Sequence, residues 1–292
     1  PAAVSRGDQC VSGENRYELE EAAVTAYELQ KVRSIFRPLA EATLTELGAI
    51  RLGTVLDVAC GTGVMARVIR EQRGPTVPII GVDVSSGMVA AARALSSDLD
   101  GRFEWHVASV DAMPLEAGCV ETCFCQQGVQ YFSNVGEAFA EIRRVLRADG
   151  RLVLTVWTQA NAYFRAQSAA MRRHVGEEAA TKALAPISHS LSTRLPDILE
   201  VEGFRDLGVK EISIMRVIAD VERGIAEDID GSPLGPLVRA CGTGTMRRVV
   251  DDILADCADL FNGTELRVPQ HASMVTAIAG RSHTGKAQQH SG

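Results

Sequence analysis

Two segments of the chain combine an apolar stretch with residues that could bind a ribose-containing cofactor. VLDVACGTG at residues 55–63 runs from apolar residues into a turn that contains Gly61 and Gly63. IIGVDVSS at residues 79–86 ends a second apolar stretch in the carboxylate of Asp83. Glycines let a ligand approach the backbone because they lack a Cβ atom. An acidic residue about one βαβ unit later can accept hydrogen bonds from ribose hydroxyls. Alternatively, Asp83 is there because the dipole of the following helix favours a negative charge at its N-terminus.

The identity of the cofactor depends on the residues around this turn. Residues 61–66 match the dinucleotide pattern G-x-G-x-x-G/A, so a NAD(P)-dependent oxidoreductase is one hypothesis. Asp57 lies inside the strand, where a carboxylate needs buried hydrogen-bond donors. The glycine loop, a turn that Asp57 caps, or the ammonium group of an amino-acid ligand could supply them. NAD has no ammonium group. In VDAMPL, Asp111 can accept from an adenine amino group while the N–H of Ala112 faces the ring. Together these residues favour S-adenosylmethionine.

Polar amides and aromatic residues follow later strands. In CQQGVQYF at residues 125–132, Gln126 and Gln127 either line the methionine end of the cofactor or are ordinary strand-end amides. Tyr131 and Trp157 lie at strand ends, where an aromatic side chain belongs either to the site or to the core. The candidate contacts with a second substrate are Gln127, Tyr131, Trp157, His189 and Leu234. No residue stands out as a catalytic base.

Alternating strands and helices must position these residues. From residue 54 onward, apolar runs of strand length alternate with segments of helical periodicity. We expect strands at 54–59, 77–84, 102–108, 119–125 and 151–157, and helices at 63–72, 86–96 and 135–147. This alternation predicts a parallel sheet with helices on both faces.

The flanking segments predict further helices and strands. Residues 16–47 have a helical pattern that Pro38 should kink or split. Towards the C-terminus we expect helices at 161–176 and 192–202 and strands at 209–217 and 272–280. The roughly 50 residues between the last two strands exceed an ordinary connection and indicate a lid over the site or a dimer face. Residues 1–14 and 281–292 are polar, and we expect disorder there.

The chain resembles the class I S-adenosylmethionine-dependent methyltransferases, in the group of ubiquinone/menaquinone-biosynthesis methyltransferases and related small-molecule enzymes. VLDVACGTG is similar to their glycine motif and GVDVSSGMV to their ribose-binding motif, while DAMPL, CQQGVQYF and LRADGRLVLTVW resemble later segments. The resemblance implies an α/β fold with a Rossmann-like, doubly wound, mostly parallel seven-stranded sheet whose last strand is antiparallel, plus N-terminal helices and a helical lid. The methyltransferase domain would span 15–280, with cap segments at 15–47, 158–205 and 218–262.

The resemblance also implies how S-adenosyl-L-methionine would bind. Asp83 would hold the ribose, Val84 and Met88 would pack on adenine, and Tyr27 would close the top of the site. The predicted cofactor contacts are Tyr27, Asp57, Ala59, Gly61, Thr62, Gly63, Asp83, Val84, Met88, Asp111, Ala112, Gln126 and Gln127.

Composition excludes several classes of function. The chain has 292 residues and a net charge of −7, without the basic stripe expected of a nucleic-acid-binding protein. The sequence contains neither an apolar run long enough to cross a membrane nor a recognisable secretory segment, so we expect a cytoplasmic location. Its cysteines and histidines lack metal-ligand spacings, so we expect no metal site.

The predicted activity is in-line methyl transfer to oxygen, carbon or nitrogen of a small organic molecule. We expect a secondary metabolite, as in antibiotic biosynthesis, or a quinone-like acceptor, and a homodimer is compatible with this activity. Gln126 and Gln127 stand where a Mg²⁺-dependent catechol-type enzyme would need a carboxylate, so we expect no metal dependence. The alternatives are an S-adenosylmethionine-binding cyclase or regulator that does not methylate, and a NAD(P)-dependent oxidoreductase.

Overall fold

The computed structural model describes residues 27–187 and 189–280, and within them seven strands form one sheet. The strands are β1 (Val55–Val58), β2 (Ile79–Asp83), β3 (Phe103–Val107), β4 (Val120–Gln126), β5 (Leu146–Trp157), β6 (Phe204–Ala219) and β7 (Glu265–Ala279). Their order is β3-β2-β1-β4-β5-β7-β6. The pairs among β1 to β5 are parallel, and β7 runs antiparallel to both neighbours. The predicted fold class is confirmed.

Helices surround this sheet and build a separate layer beyond its edge. They are α1 (Tyr27–Phe36), which is of π type, α2 (Arg37–Leu47), α3 (Val64–Arg73), α4 (Ser86–Leu95), α5 (Val135–Val145), α6 (Ala162–His174), α7 (Glu177–Leu184), α8 (His189–Val201), α9 (Val221–Asp230), α10 (Gly235–Ala240) and α11 (Thr245–Asp256). Short 3₁₀ turns occur at Val129–Tyr131 and Ala258–Leu260.

The strand order reverses between β1 and β4. From β1 the chain builds outward to β2 and β3, and it then returns to the other side of β1 with β4. The loop after β1 leads to α3 on one face of the sheet, and the loop after β4 leads to α5 on the other face. Loops that part in this way open a crevice at the carboxyl edge, which is where open α/β sheets bind ligands.

The sheet has a buried core on each face. On one face, α1 to α4 pack through residues such as Leu39 and Ile69, and on the other face α5 and α8 pack through Phe139 and Leu199. α8 therefore lies on the sheet, although the sequence placed it in a cap segment that ended at residue 205. β1 is buried along its whole length because both of its faces are covered.

Pro38 separates the two N-terminal helices, as predicted. α1 ends at Phe36, and α2 begins at Arg37 with Pro38 in its first turn. Proline is tolerated there because the first N–H groups of a helix have no partner within the helix. The part of the predicted helix before Tyr27 lies outside the described residues.

The last two strands are longer than predicted and extend beyond the sheet as an arm. The last β5–β7 pair joins Trp157 and Ala272, whereas β6 remains paired with β7 as far as Glu265. The seven further β7 residues, at about 3.3 Å each, carry the arm roughly 23 Å beyond the carboxyl edge of β5. The connection between β6 and β7 is thus shorter than the sequence pattern indicated, at residues 220–264.

The arm supports a third core. Ile218, Leu266 and Val268 of the arm are buried together with apolar residues of α6, α7, α9, α10 and α11. We call the arm with these five helices the cap. The sequence pattern missed α7, because its buried face consists of alanines and has little hydrophobic contrast with its surroundings.

The indole ring of Trp105 on β3 packs against the glycine loop. The ring stacks on Phe103 and donates a hydrogen bond from Nε1 to the hydroxyl of Ser96 at 3.1 Å. A Cβ atom at Gly63 would lie 2.6 Å from Trp105 Cη2, and one at Gly81 would overlap the same ring. These glycines are required because the indole occupies the space of their side chains.

We predict that Gly81→Ala lowers the free energy of unfolding by about 1–3 kcal/mol, since the added methyl group overpacks the Trp105 ring. Thermal melts should show a fall of a few degrees. Gly136→Ala is the control, because its Cβ would meet only the side-chain ends of Glu202, at 3.1 Å, and Asn134, at 3.5 Å. Equal melting temperatures for the two variants would contradict the packing role of Trp105.

Candidate active site

A cavity of about 420 Å³ opens at the carboxyl edge, where the strand order reverses. Its walls come from the loops after β1, β2, β3 and β4, from α1, and from the cap. The predicted cofactor residues that line it are Tyr27, Asp57, Ala59, Gly61, Asp83, Val84, Met88, Asp111, Gln126 and Gln127. The second-substrate candidates Tyr131, Trp157 and Leu234 line it as well.

Asp83 joins two loops at the end of β2. One carboxylate oxygen accepts the N–H of Gly61 at 2.8 Å, and the other accepts the N–H of Ser85 at 2.9 Å. Burial raises the pKa of Asp83, while these backbone donors counteract that rise. The carboxylate therefore fixes the glycine loop and also faces the cavity, where ribose hydroxyls could donate to it.

Asp57 is buried inside β1 and is tied to the helix that follows. It is 1% exposed, and its Oδ2 accepts the N–H of Ala66 in the first turn of α3 at 3.3 Å. Desolvation by burial raises the pKa of Asp57 to about 7, although the Ala66 bond opposes the rise. A negative charge at a helix N-terminus is favourable, and a cationic ammonium group in the cavity would favour the same ionised form.

The two loop glycines have different roles. A Cβ atom at Gly61 would meet only Tyr27 Oη at 3.9 Å, because this position faces the cavity. Gly63 instead faces Trp105 and does not line the cavity, so a contact between Gly63 and the cofactor stays a prediction. Thr62, which is 1% exposed, and Ala112 also lie outside the lining.

The two amide side chains at the end of β4 each have a hydrogen-bond partner for only one of their polar atoms. Gln126 donates from Nε2 to the Phe36 carbonyl at 3.0 Å, and Gln127 accepts the Trp157 N–H at 3.1 Å. Gln126 Oε1 and Gln127 Nε2 are buried without a hydrogen-bond partner. Gln127 and Ala59 also have left-handed backbones, with φ of 57° and 53°. Strained residues and unsatisfied polar atoms are typical of a site that a ligand completes.

The cap end of the cavity contains charged residues that sequence analysis missed. Arg216 on β6 and Asp228 on α9 are 2% and 5% exposed and lie 3.0 Å apart, with Lys31 of α1 at 3.7 Å from Asp228. Tyr163 donates its hydroxyl to Asp228 at 2.8 Å. A signal was present: Arg216 continues the alternation of Ile212, Ile214 and Ile218, which places a charge on an apolar strand face.

Two predictions are not resolved by the geometry. The side chain of His189, at the start of α8, lies outside the described part of the chain. Within 27–187 and 189–280, no cluster of three histidine, cysteine or carboxylate side chains could hold a metal ion, and the absence of a metal remains a prediction. No helix in those ranges has both the length and the apolar character needed to cross a bilayer.

The cavity fits S-adenosylmethionine. Gly61 leaves space for the ligand beside the backbone. Asp83, at the end of β2, and Asp111, in the loop after β3, face the cavity. The unpartnered polar atoms of Gln126 and Gln127 can complete their hydrogen bonds with an amino-acid moiety. The cofactor itself would supply an activated methyl group.

Comparison with known proteins agrees with this site. Residues 56–154 match a family model described as a methyltransferase domain. The ubiquinone/menaquinone biosynthesis C-methyltransferase of Geobacter sulfurreducens is 36% identical over 104 residues, which are 35% of this chain and 41% of that protein. The chain spans less than half the length of the curated relatives it matches.

Solved structures share the fold. Phosphoethanolamine N-methyltransferase 2 of Haemonchus contortus, solved with S-adenosyl-L-methionine, has a TM-score of 0.58 and 17% identity over 91% of this chain and 59% of that chain. The [4+2]-cyclase SpnF has a TM-score of 0.52 and 18% identity over 84% of this chain and 81% of that chain. The match of residues 56–154 to a methyltransferase domain agrees with the family predicted from sequence and supports S-adenosylmethionine as the cofactor.

We predict that Gly61→Val weakens S-adenosylmethionine binding at least tenfold, or about 1.4 kcal/mol, because the side chain would enter the cavity. Isothermal titration calorimetry gives the affinity. Gly74→Val is the control, since Gly74 has the same left-handed strain at φ of 83° and nothing within 4 Å of its Cβ. Normal binding by Gly61→Val would place the cofactor elsewhere. Gly63→Val should instead lower stability through Trp105.

We predict that Asp57→Asn stabilises the fold at neutral pH while it weakens cofactor binding. An aspartate with a raised folded pKa contributes stability that is full below its unfolded pKa near 3.8 and is lost as the pH rises to about 7. The gain over wild type should therefore grow between about pH 4 and 7, to at most about 4 kcal/mol. Thermal melts across this range measure it. A gain that is independent of pH would contradict the burial of an ionised Asp57.

Proposed function

We propose that the protein transfers the methyl group of S-adenosylmethionine to a small organic acceptor. One observation carries this proposal: a single cavity runs from the carboxylates at the ends of β1 and β2 to the cap. The first end suits the cofactor, and the second offers a separate space walled by Phe164, Leu234 and Arg216. A methyltransferase needs a cofactor space and an acceptor space that adjoin, so that the acceptor atom can reach the methyl group.

The residues at the cofactor end would bind and orient S-adenosylmethionine. S-adenosylmethionine, when bound, supplies a methyl group that an acceptor atom takes, while the electrons of the broken bond remain on sulfur. Asp83 holds the glycine loop and would also hold the ribose, Asp57 would favour the ammonium group, and Gln127 is fixed by the N–H of Trp157. Together these residues would orient the cofactor towards the acceptor space.

The cap and α1 provide alignment and exclude water. Holding two reactants in line can supply roughly 7–11 kcal/mol of the barrier. Arg67 and Glu28 join α1 to the glycine-loop helix at 2.9 Å, and Gln30 bonds to Glu227 of the cap. Among the histidines whose side chains the structure describes, none lines the cavity, and we assign no general base. Oxygen, carbon and nitrogen acceptors all remain within the proposal.

The finer assignments follow from composition and lining. Apolar and aromatic walls suit a secondary metabolite, as in antibiotic biosynthesis, or a quinone-like compound. The net charge of −7 supports a partner other than nucleic acid, and we propose cytoplasmic action without membrane attachment. A homodimer is compatible with the exposed faces of the cap.

A second function shares the same cofactor. The similarity to the [4+2]-cyclase SpnF shows that this fold also occurs in a protein named for a different reaction, so a cyclase or regulator that binds the cofactor without methylating is the alternative. A NAD(P)-dependent oxidoreductase is a third hypothesis, based on the dinucleotide pattern at 61–66. Fold alone does not separate these functions.

Cofactor binding and product formation test the proposal. Calorimetry should detect S-adenosylmethionine and no NAD(H) or NADP(H), and Asp83→Ala should bind at least about tenfold more weakly. Incubation with a panel of phenols, quinones, amines and carboxylic acids should yield S-adenosylhomocysteine, with or without EDTA. Failure to bind S-adenosylmethionine would refute the proposal, and binding without any product across the panel would favour the cyclase or regulator.

We predict that Leu234→Ala impairs acceptor turnover much more than cofactor binding. Leu234 is 4% exposed, packs in the cap core and lines the cavity. We expect at least a tenfold fall in kcat/KM and cofactor affinity within about twofold of wild type. Val238→Ala is the matched control, because Val238 lies in the same core but does not line the cavity.

A charged substitution at Leu237 tests the dimer hypothesis for this segment, because Leu237 is only partly buried against the cap core. If residues 220–264 form a dimer face instead of a lid, light scattering should show that Leu237→Arg becomes a monomer with normal activity per site. Full acceptor turnover by a monomeric Leu237→Arg protein would end the lid interpretation.

A further inference from the structure

The charges that line the cavity separate by sign along its length. At the cofactor end they are Asp57, Asp83 and Asp111, and at the cap end they are Lys31, Lys182, Arg216 and Asp228. The cofactor end is thus acidic and suits a ligand with a sulfonium and an ammonium group. The cap end has three cationic side chains against one carboxylate, so it favours a ligand of the opposite charge.

Arg216 is the most buried of these cations. It is 2% exposed, its Nη2 lies 3.0 Å from Asp228 Oδ1, and its guanidinium carbon lies 4.7 Å from the centre of the Tyr163 ring. Its Nε is buried without a hydrogen-bond partner. A buried donor without a partner is costly, and a guanidinium typically binds carboxylates and phosphates through two parallel N–H groups. An anion in the cavity would satisfy this donor.

Asp228 does not neutralise the cap end. Tyr163 and Arg216 both bond to it, and Lys31 lies 3.7 Å away. Burial alone would raise the pKa of Asp228, but Arg216 and Lys31 hold it below its ordinary value, so the carboxylate stays charged. Asp228 therefore lies between two cations, and Lys182 adds a third at the rim, where it pairs with Glu178.

Arg216 is too far from the cofactor end to serve the cofactor's own carboxylate. β6 is five strands away from β2 in the sheet order, or about 24 Å at about 4.8 Å per strand. Arg216 also pairs with Val268, four residues beyond the last β5–β7 pair, so it lies roughly 13 Å out along the arm. A cofactor whose ribose contacts Asp83 does not span this distance.

We infer that the cap end is a subsite for an anionic group of the methyl acceptor, a carboxylate or a phosphate, which binds Arg216 with Lys31 and Lys182 around it. This inference rests on the proposed function, since it names the class of its acceptor. The apolar body of the acceptor would lie between the anion and the methyl donor, beside Phe164 and Leu234, which line the same cavity.

Titration of four matched probes tests the sign of the charge. The protein is saturated with S-adenosylhomocysteine, and calorimetry follows phenylacetate, phenyl phosphate, phenylacetamide and 2-phenylethylamine. We expect at least one anion to bind tenfold or more tightly than the neutral amide, about 1.4 kcal/mol, and the stronger of the two anions identifies the group. Tightest binding by the amine would mean that Asp228 selects a cation, and would overturn the inference.

Charge-removing variants locate the subsite. Arg216→Met is combined with Asp228→Asn, because removing one partner alone leaves an uncompensated buried charge. The double variant should lose at least tenfold in affinity for the favoured anion and keep S-adenosylhomocysteine affinity within about twofold. Arg223→Met is the control, since Arg223 lies on α9 with Asp228, is 68% exposed and is outside the lining.

The remaining outcomes distinguish a failure of the anion subsite from a failure of the proposed function. Circular dichroism checks that the double variant folds, and if it does not, Lys182→Met, whose side chain is 45% exposed, should still lower anion affinity about threefold. A parallel loss of S-adenosylhomocysteine affinity would assign Arg216 to the cofactor and overturn the inference. If S-adenosylhomocysteine binds and no anion does, this inference alone fails. If S-adenosylhomocysteine does not bind, the proposed function fails.

Discussion

The reversal of strand order between β1 and β4 is the constraint on which the site depends. It brings the carboxyl ends of parallel strands to one crevice, so that residues far apart in sequence face the same volume. Asp57 and Asp83 lie there at the price of desolvation, which raises the pKa of both carboxyls. Backbone N–H groups of Gly61, Ser85 and Ala66 offset part of this cost. A cationic ligand would offset more of it.

Rigidity of the glycine loop comes from two directions. Asp83 holds the loop from the side through the Gly61 N–H, and Trp105 fills the space beneath Gly63 and Gly81. Of these three glycines, only Gly61 is placed so that a Cβ atom would point into the cavity. The same motif therefore contains Gly61, which leaves space for a ligand, and Gly63, which leaves space for the Trp105 ring. Substitution of Gly61 should lower cofactor affinity, and substitution of Gly63 should lower the free energy of unfolding.

The arm formed by β6 and β7 adds a further wall to the cofactor crevice and extends it into a larger cavity. It extends beyond the sheet and carries its own core, separate from the two cores on the faces of the sheet. Arg216 and Asp228 stand where this second core meets the cavity. The acceptor end is thus built by elements that the matched domain at residues 56–154 does not contain.

The sequence alone determined the alternation of strands and helices, the mainly parallel sheet and the acidic residues at the strand ends, because each depends on local periodicity and on motifs within a few residues. The antiparallel direction of the last strand followed only from the resemblance to a known family. The sequence did not distinguish Gly63 from Gly61, since what fills the space beside a glycine is set by a remote residue, here Trp105. Nor did it reveal the Arg216–Asp228 pair or the length of the arm. Strand pairing between β6 and β7 and the packing of α9 against α1 bring those residues together, and contacts of that kind exist only once the chain has folded.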